Sequence, residues 1–223
     1  MSTMMTVERP QSQSAASAAA PVVFVVEEDR RVRLSLERLI RAAGWQPRAF
    51  ASAQEFTNSP VVPAPGCLIL DVGPDLSGLA LQQRVASERP YMPVIFITRC
   101  GDVRTTVEAM RAGAFEFLTK PVDGKIVVAA IAQAIERSRR VLERAERLRA
   151  DRESYASLTR REREVMSLVA AGLLNKQVGG RLGISEITVK AHRGQVMRKM
   201  KAESLPALVH MVTRLGVAPA PVG

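Results

Sequence analysis

Four short apolar runs set the rhythm of the first 120 residues: Val22 to Val26 (VVFVV), Cys67 to Leu70 (CLIL), Val94 to Ile97 (VIFI) and Phe115 to Thr119 (FEFLT). Each ends in a polar group, and between them apolar positions recur at helical spacing. Over Arg30–Ala43 these are Val32, Leu36, Leu39 and Ile40, with Gly44 as the stop. Gln46–Phe50 reads as a further strand, and Ser52 caps a short helix to Asn58. A Pro-rich loop covers 60–66, Leu79–Glu88 is helical, and Asp102 caps a helix over Val103–Ala112 that Gly113 ends. Five strands alternating with helices predict a doubly wound parallel sheet with chemistry at its carboxyl edge. That edge gathers Glu27, Glu28 and Asp29 after the first strand, Asp71 after the third, Thr98 after the fourth and Lys120 after the fifth. For a lone Asp71, capping of the following turn is a sufficient explanation; four convergent strand ends are not explained that way.

From Asp123 the apolar positions Ile126, Val127, Ala130, Ile131, Ala134 and Ile135 keep helical spacing, continued sparsely through Leu142, Ala145 and Leu148. Glu136 with Arg140 and Glu143 with Arg147 are i,i+4 pairs with the acid first, the orientation that supports a helix. The spacing predicts one long connector, either a solvated helix or a coiled coil of about two heptads. Beyond Tyr155 the pattern shortens to four helices: Arg160–Ala171, Asn175–Leu182, Glu186–Met200 and Leu205–Leu215. Gly183-Ile184-Ser185 stands between the second and third as a tight turn with an N-cap, the signature of a helix-turn-helix. The domain boundaries expected are a disordered tail over 1–20, an α/β domain over 21–138, a helical linker over 139–154, an all-α domain over 155–217 and a short tail over 218–223.

Charge sharpens the second half. The net charge of +10 is placed unevenly: residues 155–223 carry eleven Lys and Arg against four Asp and Glu, whereas residues 1–138 carry fifteen against fourteen. A small basic helical domain beside a nearly neutral α/β domain points to a polyanion partner, most simply double-stranded DNA. The third short helix then presents Lys190, Ala191, His192, Arg193, Arg198 and Lys199 for contact. Lys190 and Arg193 carry donors suited to guanine, and Lys176, Arg198 and Lys199 are placed to meet the backbone. The last helix bears an apolar stripe of Leu205, Leu208, Val209, Val212 and Leu215, more than so small a domain needs to bury. No apolar run approaches the ~20 residues that span a bilayer, so no membrane association is expected. Cys67 and Cys100 form no disulfide framework, which fits a reducing cytoplasm.

The two halves together resemble a two-component response regulator of the FixJ type, a receiver domain joined to a LuxR/NarL-type helix-turn-helix. The residues carrying the resemblance run nearly from Pro21 to Val217. They are the acids after the first strand, the Asp71 strand, Thr98 with Gly101-Asp102, Lys120-Pro121, Leu158-Thr159 with Arg161-Glu162, Asn175-Lys176, and TVKAH over 188–192. The resemblance implies that Asp71 is phosphorylated by a sensor histidine kinase and that Glu27, Glu28, Asp71 and the Gly73 carbonyl hold Mg²⁺. It makes Thr98 and Phe117 the switch pair, Lys120 the phosphoryl contact, Thr188 and His192 part of the DNA-binding set, and the Leu205–Leu215 stripe the interface of a homodimer on DNA. Such a protein is a regulator and not an enzyme.

Two departures from the family pattern fall in the metal site. Glu27 and Glu28 stand where short Asp side chains are usual, and the loop after Asp71 is one residue shorter. They leave open an alternative in which the receiver is phosphorylation-independent and serves as an interaction or dimerisation module. An aspartyl-phosphate phosphatase would need a second Asp two residues after Asp71, where this chain has Gly73.

Overall fold

Val22–Val26 (β1) is apolar at every position because helices cover both of its faces, as a central strand of a parallel sheet requires. The computed structural model describes residues 20–62, 64–71, 77–99, 107, 110, 111 and 113–217. The remaining strands are Gln46–Phe50 (β2), Gly66–Asp71 (β3), Val94–Thr98 (β4) and Glu116–Thr119 (β5), all parallel, in the order β2-β1-β3-β4-β5. Arg30–Ala42 (α1), Ala53–Thr57 (α2) and Ser77–Glu88 (α3) connect them. Of the helix expected over Val103–Ala112, Val107, Met110 and Arg111 are helical; the rest, with Cys100, Gly101 and Asp102, lies outside the described residues, as do Gly73 and the greater part of both expected tails.

Side chains alternate across each strand, and the core follows in two layers. Phe24, Phe56, Leu68, Leu81, Val85 and Phe96 pack on the α2/α3 face. Val23, Val25, Ile40, Cys67, Ile69, Ile95 and Ile131 pack on the other, against α1 and the long helix Gly124–Ala156 (α4). At the amino end of β3 a Cβ on Gly66 would lie 2.1 Å from the Val22 carbonyl oxygen, so β1 and β3 meet there only because Gly66 has none. The Gly66 amide donates to Ser138 Oγ at 3.1 Å, which ties α4 to the sheet through a wholly buried hydroxyl.

The chain divides into two compact units, Met1–Glu143 and Arg144–Gly223. α4 is a single helix of 33 residues, supported along its exposed side by Arg139 and Arg140 on Glu136 and by Arg149 on Glu146. In the second unit, Arg160–Ala170 (α5), Asn175–Leu182 (α6), Glu186–Lys199 (α7) and Leu205–Leu215 (α8) enclose a core of Leu158, Met166, Val196, Met200, Leu208 and Val212. A second cluster of Val165, Leu168, Val169, Val178 and Val189 lies beside it. The end of α4 belongs to this unit, where buried Asp151 accepts from Arg214 Nε of α8 at 2.8 Å.

Candidate functional site

At the carboxyl edge of the sheet, the two-residue period decides which acids meet. Glu27, Asp71 and Lys120 continue the phase of Val23/Val25, Cys67/Ile69 and Leu118, the α1/α4 side, whereas Glu28 falls in the other phase. Lys120 is held at the end of β4 by its amide, which donates to the Thr98 carbonyl at 2.7 Å. Its Nζ then lies 2.7 Å from Glu27 Oε2 and 3.0 Å from Asp71 Oδ2, bridging the two carboxylates. Glu27 is only 2 % exposed, and burial pushes its carboxyl above the ordinary range despite the ammonium beside it, with the Asp71 charge pushing the same way. Its other oxygen accepts from the Asp29 amide at 3.0 Å. Asp29 caps α1 through the amides of Arg31 and Val32, which hold its own carboxyl below the usual range. Thr98 is buried at the end of β4, where Asp71 is registered against Ile97, and Phe117 packs on Phe96 with ring centroids 6.4 Å apart.

The donor set expected for Mg²⁺ is not what these residues assemble. Oxygen ligands suit the ion, but Glu28 is exposed and both Glu27 oxygens are already engaged, one by Lys120 and one by the Asp29 amide. Among the described residues no three acidic, His or Cys side chains stand close enough to hold a metal, and Gly73 lies outside them. The Glu27 and Glu28 carbonyls both accept from Arg33 Nη1, at 2.6 and 3.2 Å, a cation next to the site that charge counting along the sequence passed over.

In the second unit α6 and α7 form the helix-turn-helix. Ser185 caps α7 through the Thr188 amide, and the Ser185 and Thr188 hydroxyls lie 2.8 Å apart. Gly183 ends α6 at φ +65° and lets the chain reverse. Gly179 accepts the Ile184 amide on its carbonyl, and a Cβ there would lie 2.7 Å from Ile184 O; Gly180 faces open space. The missing side chain of Gly179 is what lets the turn close on α6.

Lys176, Thr188, Lys190, Ala191 and Arg198 are exposed, and His192 is half-buried. Arg193 is half-buried, and its Nη1 donates to Asn175 Oδ1 of α6 at 3.2 Å. Lys199 turns back to Glu162 Oε2 at 2.6 Å and to the Ser157 carbonyl at 3.3 Å. With the Thr159 amide, this ammonium holds the Glu162 carboxyl below the ordinary carboxylate range. Leu208 and Val212 are buried in the unit's own core, with Leu205 and Leu215 packed against it, so the stripe on α8 is not a surplus face; Val209 is half-buried. The residue that charge and spacing overlooked is Ile187, 82 % exposed on the first turn of α7.

Comparison with known proteins agrees with this division. Residues 23–132 match the response regulator receiver domain, and residues 156–212 match the bacterial regulatory proteins of the luxR family. The chain is 44 % identical over 212 residues to nodulation protein W of Bradyrhizobium diazoefficiens, covering 94 % of this chain and 93 % of that one. It is 39 % identical over 199 residues to the transcriptional regulatory protein FixJ of Azorhizobium caulinodans, covering 89 % and 94 %. Among solved structures it is similar to the response regulator StyR, with a TM-score of 0.78 at 40 % identity over 88 % of this chain and all of that one. Among the described residues no helix is long and apolar enough to cross a membrane. Parallel sheet, convergent edge, helix-turn-helix and full-length relatives lead to one conclusion: the chain belongs to the two-component response regulators of the FixJ type, a receiver domain followed by a LuxR-type DNA-binding domain.

Proposed function

We propose that this protein is a cytoplasmic transcriptional regulator whose receiver takes a phosphoryl group on Asp71 from a sensor histidine kinase, and whose second unit then binds double-stranded DNA as a homodimer. The observation that carries the first half is Lys120 Nζ, 3.0 Å from Asp71 Oδ2. An Asp71 carboxylate oxygen attacks phosphorus as the bond from phosphorus to the kinase imidazole breaks, leaving an acyl phosphate. Negative charge spreads over the phosphoryl oxygens during transfer, and a fixed ammonium at hydrogen-bond distance is the group that stabilises it. Thr98, at the end of the next strand, supplies a hydroxyl to the phosphorylated state, and Phe117 follows it as the aromatic partner of the switch. Receiver domains typically bind Mg²⁺ at this edge; the described donors of this chain favour weak binding. On DNA, Lys190 and Ala191 meet the bases, while Lys176, Thr188, His192 and Arg198 meet the backbone. Val209 and the outer edges of Leu205 and Leu215 form what α8 offers a partner copy.

Intact-mass measurement after incubation with acetyl phosphate and Mg²⁺ tests the phosphorylation step. A gain of one phosphoryl group, absent in Asp71→Asn, is the result expected. No gain in the parent chain refutes phosphoryl gating and leaves the receiver as an interaction module.

A further inference from the structure

Ile187 contributes nothing to the core of its own unit, yet it is the most exposed of the large apolar side chains described. Successive residues of a helix are about 100° apart, and this places Ile187, Ala191, Gly194 and Arg198 within roughly 30° of one direction. That direction is opposite the buried Val189 and Val196. Ala191, Gly194 and Arg198 are all exposed, and a Cβ on Gly194 would meet nothing within 4 Å. The outward centre of the helix is therefore a short apolar strip of Ile187, Ala191 and Gly194. Lys190 stands on one flank, Arg198 at its far end, and Arg193 and Lys199 are both turned away to other helices.

A strip of this kind needs an apolar contact in a polar, negatively charged setting. The surrounding charge fixes the setting, since the unit carries eleven basic against four acidic residues over 155–223. The major groove of DNA offers one apolar group, the C5-methyl of thymine. We infer that Ile187, backed by Ala191 and the clearance at Gly194, reads a thymine methyl, so that sequence preference in this protein is set in part by an apolar contact on the first turn of α7. The inference rests on the proposed DNA binding and adds the base that this position selects.

The test uses the full chain. Duplexes are selected from a random pool, and each thymine fixed by the selection is replaced singly by deoxyuridine, which lacks only the methyl group. At one or more of these positions the parent should lose affinity about fourfold, the factor expected for one buried methyl-sized group. Ile187→Val should keep that sensitivity, and Ile187→Ala should bind the thymine and uracil duplexes equally. Uniform indifference of the parent to uracil overturns the inference, as does a selected site with no fixed thymine. A uracil penalty unchanged in Ile187→Ala overturns it too, as does an Ile187→Ala change confined to self-association. Failure to select any duplex refutes the DNA-binding reading itself and takes this inference with it.

Discussion

Gly179 and Gly180 are adjacent, share one helix and have opposite reasons to be glycine, which makes them a paired experiment. Replacing either by Ala removes backbone freedom from the unfolded chain and improves helix propensity, a gain of about 1 kcal/mol. Gly180 is exposed, and a methyl group added there would meet nothing within 4 Å, so it should realise that gain in full. At Gly179 the methyl carbon would sit 2.7 Å from Ile184 O, a backbone atom held by the Ile184 amide on Gly179 O at 3.1 Å. The turn has to open, and overpacking of this kind costs about 1–3 kcal/mol. Because the propensity gain is common to both, the difference between the two variants isolates the clash. In calorimetry of the full chain, Gly180→Ala should raise the transition of the second unit by roughly 4–8 °C, the shift for about 1 kcal/mol in a domain this small, while Gly179→Ala leaves it lower than Gly180→Ala. Trp45, the single tryptophan, lies in the first unit, and its fluorescence transition should stay where it is in both. Equal stability of the two variants would refute the close-approach argument.

Two further outcomes follow from buried polar groups. Ser138→Ala strands the buried Gly66 amide and should destabilise the first unit by about 1–3 kcal/mol, read from urea titration of Trp45 fluorescence; a loss near zero would mean the amide finds another acceptor. Glu162 is held below its ordinary value of 4.5 by Lys199 and the Thr159 amide, so the folded unit binds fewer protons there than the unfolded chain. Its contribution is complete above that value and is lost as pH falls through the lower folded one. Denaturation midpoints of Glu162→Gln should therefore be below the parent's at neutral pH and fall less steeply on acidification; parallel curves would show that the pair is not what stabilises.

The sheet was legible because Val, Ile and Phe runs with both faces covered leave few alternatives, and its convergent edge because each run ends in a polar residue. The length of α4 was legible too, from acid-first pairs such as Glu136 with Arg140. What the sequence withheld depends on geometry between elements. Glu27 and Glu28 look equivalent in a string, and only the path of the chain as it leaves β1 separates a buried acid from an exposed one. Arg193 and Lys199 carry the same charge as Lys190, and nothing local says that Asn175 and Glu162 hold them. Gly179 differs from Gly180 only through the Ile184 carbonyl. Ile187 escaped notice because an apolar residue on a helix is ordinarily assigned to the core, and its exposure is set by how α7 is turned.

That turn is itself held. Arg193 reaches Asn175 on α6, and Lys199 reaches Glu162 on α5 nearly two helical turns further along. About 100° per residue places these two side chains on either side of the buried Val189/Val196 stripe, so they act as stays against rolling in both senses. If α7 reads DNA as proposed, a helix held at one azimuth gives up little rotational entropy on meeting its groove, and a mismatched site cannot be accommodated by rolling it to a second setting. Cutting either stay would then free that azimuth and blur the choice of sequence.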